Sequence, residues 1–308
     1  MDLVTPEDIK AAAERIAPVA VRTPLVPVGD LLVKPESLQR VGSFKIRGAY
    51  NTVAALRPAG VVTHSSGNHG RALAFAAESF GLPCVVVVPE GTPQVKTDAI
   101  RGHGADVVVV PPSQREEAAL AVAAERGLTL LPPYDHPLVI AGQGTIGLEI
   151  LADLPDAEVI AVPVSGGGLV SGIAAAVKTA RPTVRVIGVE PELAADAAES
   201  LATGRLVVWD PARTFRTIAD GLRAQLSELT LAHLQAYVDD VVTVTEDEIR
   251  AAVRHLALAG RLIAEPSGAV ATAAHLAGKL PGGRTVTILS GGNVDPAALV
   301  RLLTTGDG

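Results

Sequence analysis

Short runs of consecutive apolar residues alternate along this chain with stretches whose apolar positions recur at helical spacing, and the joints are rich in Gly, Ser and Pro. Val61-Val62-Thr63 leads through SSGNHG into a helical stretch over Arg71–Phe80. Cys84–Val88 then predicts a strand, Gln94–Arg101 a helix, Val107–Val110 a strand, Arg115–Arg126 a helix and Leu128–Leu131 a strand. Continuous apolar strands are buried on both faces, which predicts a parallel sheet covered by helices. A second run begins after IAGQGT, with a strand over Val159–Val164, an SGGG turn and a helix over Leu169–Ala180. Strands over Val184–Val189 and Thr285–Leu289 follow, the latter leading through SGGN to a helix from Pro296. Thr245-Glu246-Asp247-Glu248 reads as a capping box, with Thr245 as N-cap and Glu248 reaching back. The pattern predicts two doubly wound α/β domains: a small one over residues 60–137, and a large one over 1–59 and 138–308.

Composition narrows the class. The chain has 308 residues, 48% of them hydrophobic but only 3% aromatic, so aliphatic side chains must fill the core. Charged residues at 19% argue against disorder. The net charge of −7 and the lack of any Lys/Arg run exclude nucleic-acid binding by phosphate neutralisation. No apolar stretch reaches the roughly 18 residues of a membrane span. The N-terminus lacks the apolar core of a signal peptide. The lone cysteine, Cys84, reads as a buried strand thiol, and one cysteine fits a reducing, cytoplasmic setting.

Four loops fall where open α/β sheets bind ligands: GSFKIRG (42–48), SSGNHG (65–70), SGGGL (165–169) and SGGN (290–293). Three glycines between a strand and a helix let backbone N–H groups close on an anion, although the same residues also make ordinary tight turns. A nucleoside-triphosphate loop of the form GxxxxGK[ST] is absent, and no clean GxGxxG follows the first strand. Of six lysines, Lys45 alone is enclosed by a small-residue motif with an aromatic beside it. An amine near a phosphate cradle suits an aldehyde cofactor that forms a Schiff base, while position alone equally allows a surface lysine at a helix start. His69 reads equally as a turn residue and Ser66 as a helix cap.

GSFKIRGA, SSGNHG, AGQGT, a Gly-rich loop before a helix, TIADG, TVTEDEI and LSGGNVD stand in the order found in fold-type II pyridoxal-5′-phosphate enzymes. Over nearly its whole length the chain resembles their threonine/serine dehydratase and serine racemase group, with its tryptophan synthase β-like fold. The resemblance implies that Lys45 is the Schiff-base lysine and the base for the Cα proton. It places Phe44 beside the pyridine ring and Asn68 on the ring hydroxyl oxygen. Ser165, Gly166, Gly167, Gly168 and Leu169 would hold the phosphate, and Ser290 the pyridine nitrogen. Ser66, Asn68 and His69 would surround the substrate carboxylate, with Arg115 assisting through a match that needs a two-residue gap. Ser66 also matches the residue that moves a proton on the face opposite the lysine in racemases.

A neutral serine at the ring nitrogen makes a milder electron sink than a pyridinium and suits loss of a β leaving group. Glu190, the Ala194 carbonyl and Asp196 match positions that bind a divalent cation, and two carboxylates plus a carbonyl suit Mg²⁺ or Ca²⁺; a solvated acidic loop is the alternative. The expected activity is a threonine (serine) ammonia-lyase acting on a small amino acid, in a homodimer. A serine racemase or a 3-hydroxyaspartate dehydratase would use the same site, while a non-catalytic cofactor-binding protein and a nicotinamide oxidoreductase are more distant alternatives.

The sequence also departs from the group. Ser165 stands where most relatives have glycine. The stretches 24–38 and 57–60 are short, which argues against nucleotide control. The chain stops soon after LSGGNVD, so no C-terminal regulatory domain is expected.

Overall fold

The computed structural model describes residues 2–65 and 67–304. Its first half runs α1 (Pro6–Ile16), β1 (Val26–Val28), β2 (Leu31–Pro35), α2 (Lys45–Leu56), β3 (Val61–His64), α3 (Asn68–Phe80), β4 (Cys84–Pro89), α4 (Gln94–Arg101), β5 (Asp106–Val110), α5 (Arg115–Arg126), β6 (Thr129–Leu130) and α6 (Pro137–Asp153). The second half runs β7 (Val159–Pro163), α7 (Gly168–Ala180), β8 (Arg185–Pro191), α8 (Asp196–Thr203), α9 (Pro211–Thr214), α10 (Glu228–Tyr237), β9 (Asp240–Val244), α11 (Glu246–Leu258), α12 (Pro266–Leu276), β10 (Thr285–Leu289) and α13 (Pro296–Thr304).

The strands form two sheets, ordered β1-β2-β10-β7-β8-β9 and β5-β4-β3-β6. The second is parallel throughout, and the first is parallel except for the β1–β2 pair. Strand β7 is buried at every position, as its unbroken apolar run predicts. Valine, leucine, isoleucine and alanine fill the clusters on both sheets. Each fully buried valine or leucine contributes roughly 1.5–3 kcal/mol of transfer free energy.

Local signals set the helix starts. Thr5 accepts from the Asp8 N–H and Asp8 bonds back to the Thr5 N–H, with Pro6 at the first helical position of α1. The Thr245–Glu248 capping box opens α11 as predicted. Helix α3 starts at Asn68, three residues before the apolar periodicity does, so Asn68 and His69 belong to its first turn. AGQGT lies inside α6, which is apolar on nearly every face and packs on α2 and α7. A side chain at Gly172 would strike the Ile140 carbonyl and the Gly144 backbone, so glycine is what lets α6 and α7 approach. The buried side chains of α2 pack with the smaller sheet, in one cluster with Val61, Val86 and Leu131. Among the described residues no helix is long and apolar enough to cross a membrane.

Candidate active site

Lys45 is the first residue of α2. The loop just before that helix is tied to the loop after β10: Phe44 N–H donates to the Ser290 carbonyl at 3.0 Å, Ser43 bridges Gly291, and Gly292 N–H donates to the Gly42 carbonyl at 2.9 Å. Residues far apart in sequence are thereby joined, which puts Lys45 and Ser290 in one knot of backbone. The Ser290 hydroxyl is buried and reaches only the Ser267 carbonyl at 3.5 Å, too long for a strong O–H···O bond.

The Lys45 ammonium lies 5.0 Å from the Phe44 ring centroid and donates to the Pro133 carbonyl at 2.7 Å. A carbonyl offers no compensating charge, so burial lowers the Lys45 pKa to about 8. The next residue, Tyr134, lies over the glycine loop. A side chain on Gly166 would strike its ring, and one on Gly168 its Cβ. Burial pushes the Tyr134 phenol up to about 12, so it stays protonated at neutral pH. Segment 133–134 therefore touches both Lys45 and the glycine loop.

That loop has an anion cradle's form. Gly167 adopts φ +84°, a left-handed conformation natural to glycine, and a side chain there would strike Leu226 and Thr230. It precedes the first turn of α7 without offering a capping side chain, which leaves the helix N-terminal N–H groups for a ligand. The Ser165 hydroxyl contacts the backbone N and O of Ala224, both at 3.0 Å, and ties the loop to the segment before α10. Leu169 is buried in the core beneath, so only its backbone can face a ligand.

At the start of α3, the Asn68 carboxamide donates to Glu265 Oε1 at 2.5 Å and accepts from Asn293 Nδ2 at 2.7 Å. Asn293 in turn accepts from Arg71 at 2.8 Å. Burial and then the Asp220 carboxylate push the Glu265 pKa up to about 7. His69 turns into the protein, where Nε2 contacts the Leu131 carbonyl at 3.1 Å and Nδ1 has no partner. Burial, then the charge of Lys45, lower its pKa to about 3, so it is neutral at physiological pH. Arg115 opens α5 and donates to the Pro112 carbonyl at 3.2 Å; the pKa of nearby His64 is lowered by burial, with Glu116 opposing and Arg115 adding to the shift. Ser66 lies outside the described residues.

The motif loops thus meet in one place. Sequence reasoning assigned nothing to Tyr134, Glu265 or Asn293, which complete that meeting. A signal existed for two of them. Tyr134 follows two prolines just before a helix, and Glu265 is an acid set between apolar residues and the Pro266 that starts α12.

The acidic trio falls between the end of β8 and the start of α8. Glu190 is 1% exposed and accepts the Ala197 and Ala198 N–H groups at 3.1 and 2.8 Å. Burial and the nearby Asp196 carboxylate hold its pKa well above the usual range. Asp196 is raised to about 6, mainly by burial, and its Oδ2 is buried without a partner. Among the described residues no group of three or more His, Cys, Asp or Glu side chains is clustered for a metal, so a cation here would need backbone or water oxygens.

A family model described as "Pyridoxal-phosphate dependent enzyme" matches residues 16–291. The chain belongs to this family. Among its relatives, the L-threonine ammonia-lyase of Thermotoga maritima is 41% identical, across 99% of this chain and 79% of that protein. A serine racemase of Arabidopsis thaliana is 42% identical, across 94% of this chain and 93% of its own. Among solved structures, that of maize serine racemase superposes with a TM-score of 0.93 at 37% identity, covering 97% of each chain. The mixed α/β architecture with two sheets is that of the pyridoxal-phosphate dependent enzymes.

Proposed function

We infer that this pyridoxal-phosphate dependent enzyme is an ammonia-lyase that converts threonine or serine to a 2-oxo acid and ammonia. The observation that carries the reading is Lys45: an amine with a pKa near 8, paired only with a carbonyl, one short segment away from an uncapped glycine cradle. The relative named L-threonine ammonia-lyase supports it.

The residues fit the cofactor. Backbone N–H groups from Ser165 to Leu169 would hold the phosphate, helped by the N-terminal dipole of α7. Asn68 would donate to the ring hydroxyl oxygen, Phe44 would flank the ring, and the under-used Ser290 hydroxyl would face the ring nitrogen. When bound, the cofactor supplies an aldehyde for the substrate amine and a ring that accepts the Cα–H electrons. Lys45 is the amine that would hold that aldehyde, and it would also take the Cα proton. At pH 7 about a tenth of a group with this pKa is neutral, against well under a thousandth for an ordinary lysine. The first turn of α3, with Asn68 and His69, would meet the substrate carboxylate; because the His69 ring turns inward, its part there is to shape the turn. Ser66 would handle a proton on the face opposite Lys45, and Arg115 is a further candidate for the carboxylate. Loss of the β-hydroxyl releases an enamine acid, which water converts to the 2-oxo acid and ammonia.

Glu190, the Ala194 carbonyl and Asp196 would hold Mg²⁺ or Ca²⁺, because two buried carboxylates without a counter-charge need a cation. Serine racemisation is the second reading, favoured by the Arabidopsis and maize likenesses.

Incubation with L- and D-threonine, serine and 3-hydroxyaspartate, scored for 2-oxo acid and for chirality, separates these readings. Lys45→Ala is expected to lose the yellow colour, the borohydride-trapped adduct and all turnover. Full turnover in that variant would overturn the assignment.

A further inference from the structure

The chain of hydrogen bonds through Asn68 has one direction. Arg71 donates to Asn293, Asn293 to Asn68, and Asn68 to Glu265, at 2.8, 2.7 and 2.5 Å. A cation stands at one end and a carboxyl at the other. Asn293 Nδ2 donates to the Asn68 oxygen, so the group facing Glu265 is the Asn68 NH₂. Asn293 is fixed in the same sense, because its Nδ2 also donates to the Val41 carbonyl at 2.8 Å. The Asn68 amide is therefore held at both ends in one of its two flip states, with its second N–H left over.

The geometry points to Glu265 as a positioning residue: by accepting from Asn68 it fixes which face of that carboxamide, donor or acceptor, meets the cofactor. The inference rests on the reading above, in which Asn68 meets the ring hydroxyl oxygen. That oxygen accepts, so it needs the N–H side. Without an acceptor at position 265 the amide keeps only the bond from Asn293, and a flip would set its oxygen against the ring oxygen. Glu265 also takes a bond from the Asn293 backbone N–H, but it does not cap a helix with its side chain. It precedes α12 yet bonds none of that helix's N–H groups with its side chain. Its carboxyl turns instead toward α3 and to the loop after β10, where a side chain on Gly291 would collide with it.

The test is a double-mutant cycle on the full-length protein, read by pyridoxal-5′-phosphate affinity and by the absorbance spectrum of the bound form. Glu265→Ala is expected to weaken cofactor affinity about tenfold or more, the worth of a hydrogen bond to a charged group, and to shift the absorbance maximum. Glu265→Gln keeps an acceptor oxygen and is expected to recover most of both. In an Asn68→Ala background, Glu265→Ala is expected to change neither. Melting of the cofactor-free proteins checks that each variant folds, and Glu265→Gln serves if Glu265→Ala does not.

Equal losses with and without Asn68, or a Gln variant with the spectrum and affinity of the Ala variant, would overturn the proposal. So would a folded Glu265→Ala protein that binds and absorbs as wild type does. Failure of the underlying reading looks different, because then the wild-type protein itself gives no borohydride-stable adduct at Lys45.

Discussion

Two groups of buried charge flank the larger sheet, and they differ in how their charges balance. The first joins Lys34 of β2, Glu36 just after it, Arg47 of α2 and Glu149 of α6. Arg47 forks onto Glu36 with two bonds of 2.8 Å and onto Glu149 with bonds of 2.6 and 3.0 Å. Lys34 adds a 2.6 Å bond to Glu149, and Thr23 and Gln39 donate to the two Glu36 oxygens. Two cations meet two anions. Burial alone would raise the Glu36 pKa, but the Arg47 guanidinium outweighs it and holds the carboxyl below its ordinary value. The second group is Glu190 and Asp196, two anions with no cation, and both titrate high. A balanced cluster fixes a fold; an unbalanced one costs stability until something fills it. Arg47 is two residues along α2 from Lys45, so the first group anchors the helix that carries that amine.

The largest effect is expected at the balanced cluster. Arg47→Ala strands Glu36 and Glu149 inside the protein and is expected to cost about 3–5 kcal/mol, read as a lower denaturant midpoint with or without added ligands. A midpoint within experimental scatter of wild type would remove the cluster from the account of stability.

The acidic pair should respond to ions in the opposite way. Mg²⁺ or Ca²⁺ at a hundredfold excess over its dissociation constant is expected to stabilise the wild-type protein by about 2.7 kcal/mol. Asp196→Asn and Glu190→Gln are expected to abolish that gain while leaving ion-free melting equal or higher. Identical melting curves in EDTA and in excess cation would mean that the pair holds no ion.

Lys45 is a third and smaller case, a single buried cation. Its folded pKa of about 8 lies below the 10.5 of an unfolded lysine, so its cost to stability is fully present below pH 8 and is relieved as pH climbs toward 10.5. Cofactor-free wild-type protein is therefore expected to gain on the order of 1–2 kcal/mol relative to Lys45→Met across that window. Parallel pH profiles for the two proteins would show that the amine is not desolvated in the folded state.

Much of this was legible in the chain. The strand runs, the SGGG turn and the Thr245 capping box depend on residues close in sequence, and pattern alone finds them. Helix α6 was not read from the sequence because it is apolar nearly all round, and a helix without a polar face loses the periodicity by which helices are read. Helix α3 starts early because Gly67 needs no side-chain cap and the first turn, Asn68-His69-Gly70, carries no large apolar residue. The site was legible where one loop carries one role. It was not where partners come from distant positions: Glu265 meets Asn68 across 197 residues and Asn293 meets it across 225, and no local pattern records either.

Cys84 opens β4 in the smaller sheet, 5% exposed, with burial pushing its thiol up to about 12. It is the single sulfhydryl of the sequence. A chain with one such group, masked while folded, carries its own clock. The rate at which a thiol reagent labels it counts the moments when that sheet comes apart, and the slowing of that rate as ligands are added would report, without any engineered probe, how far events at the larger sheet are felt in the smaller one.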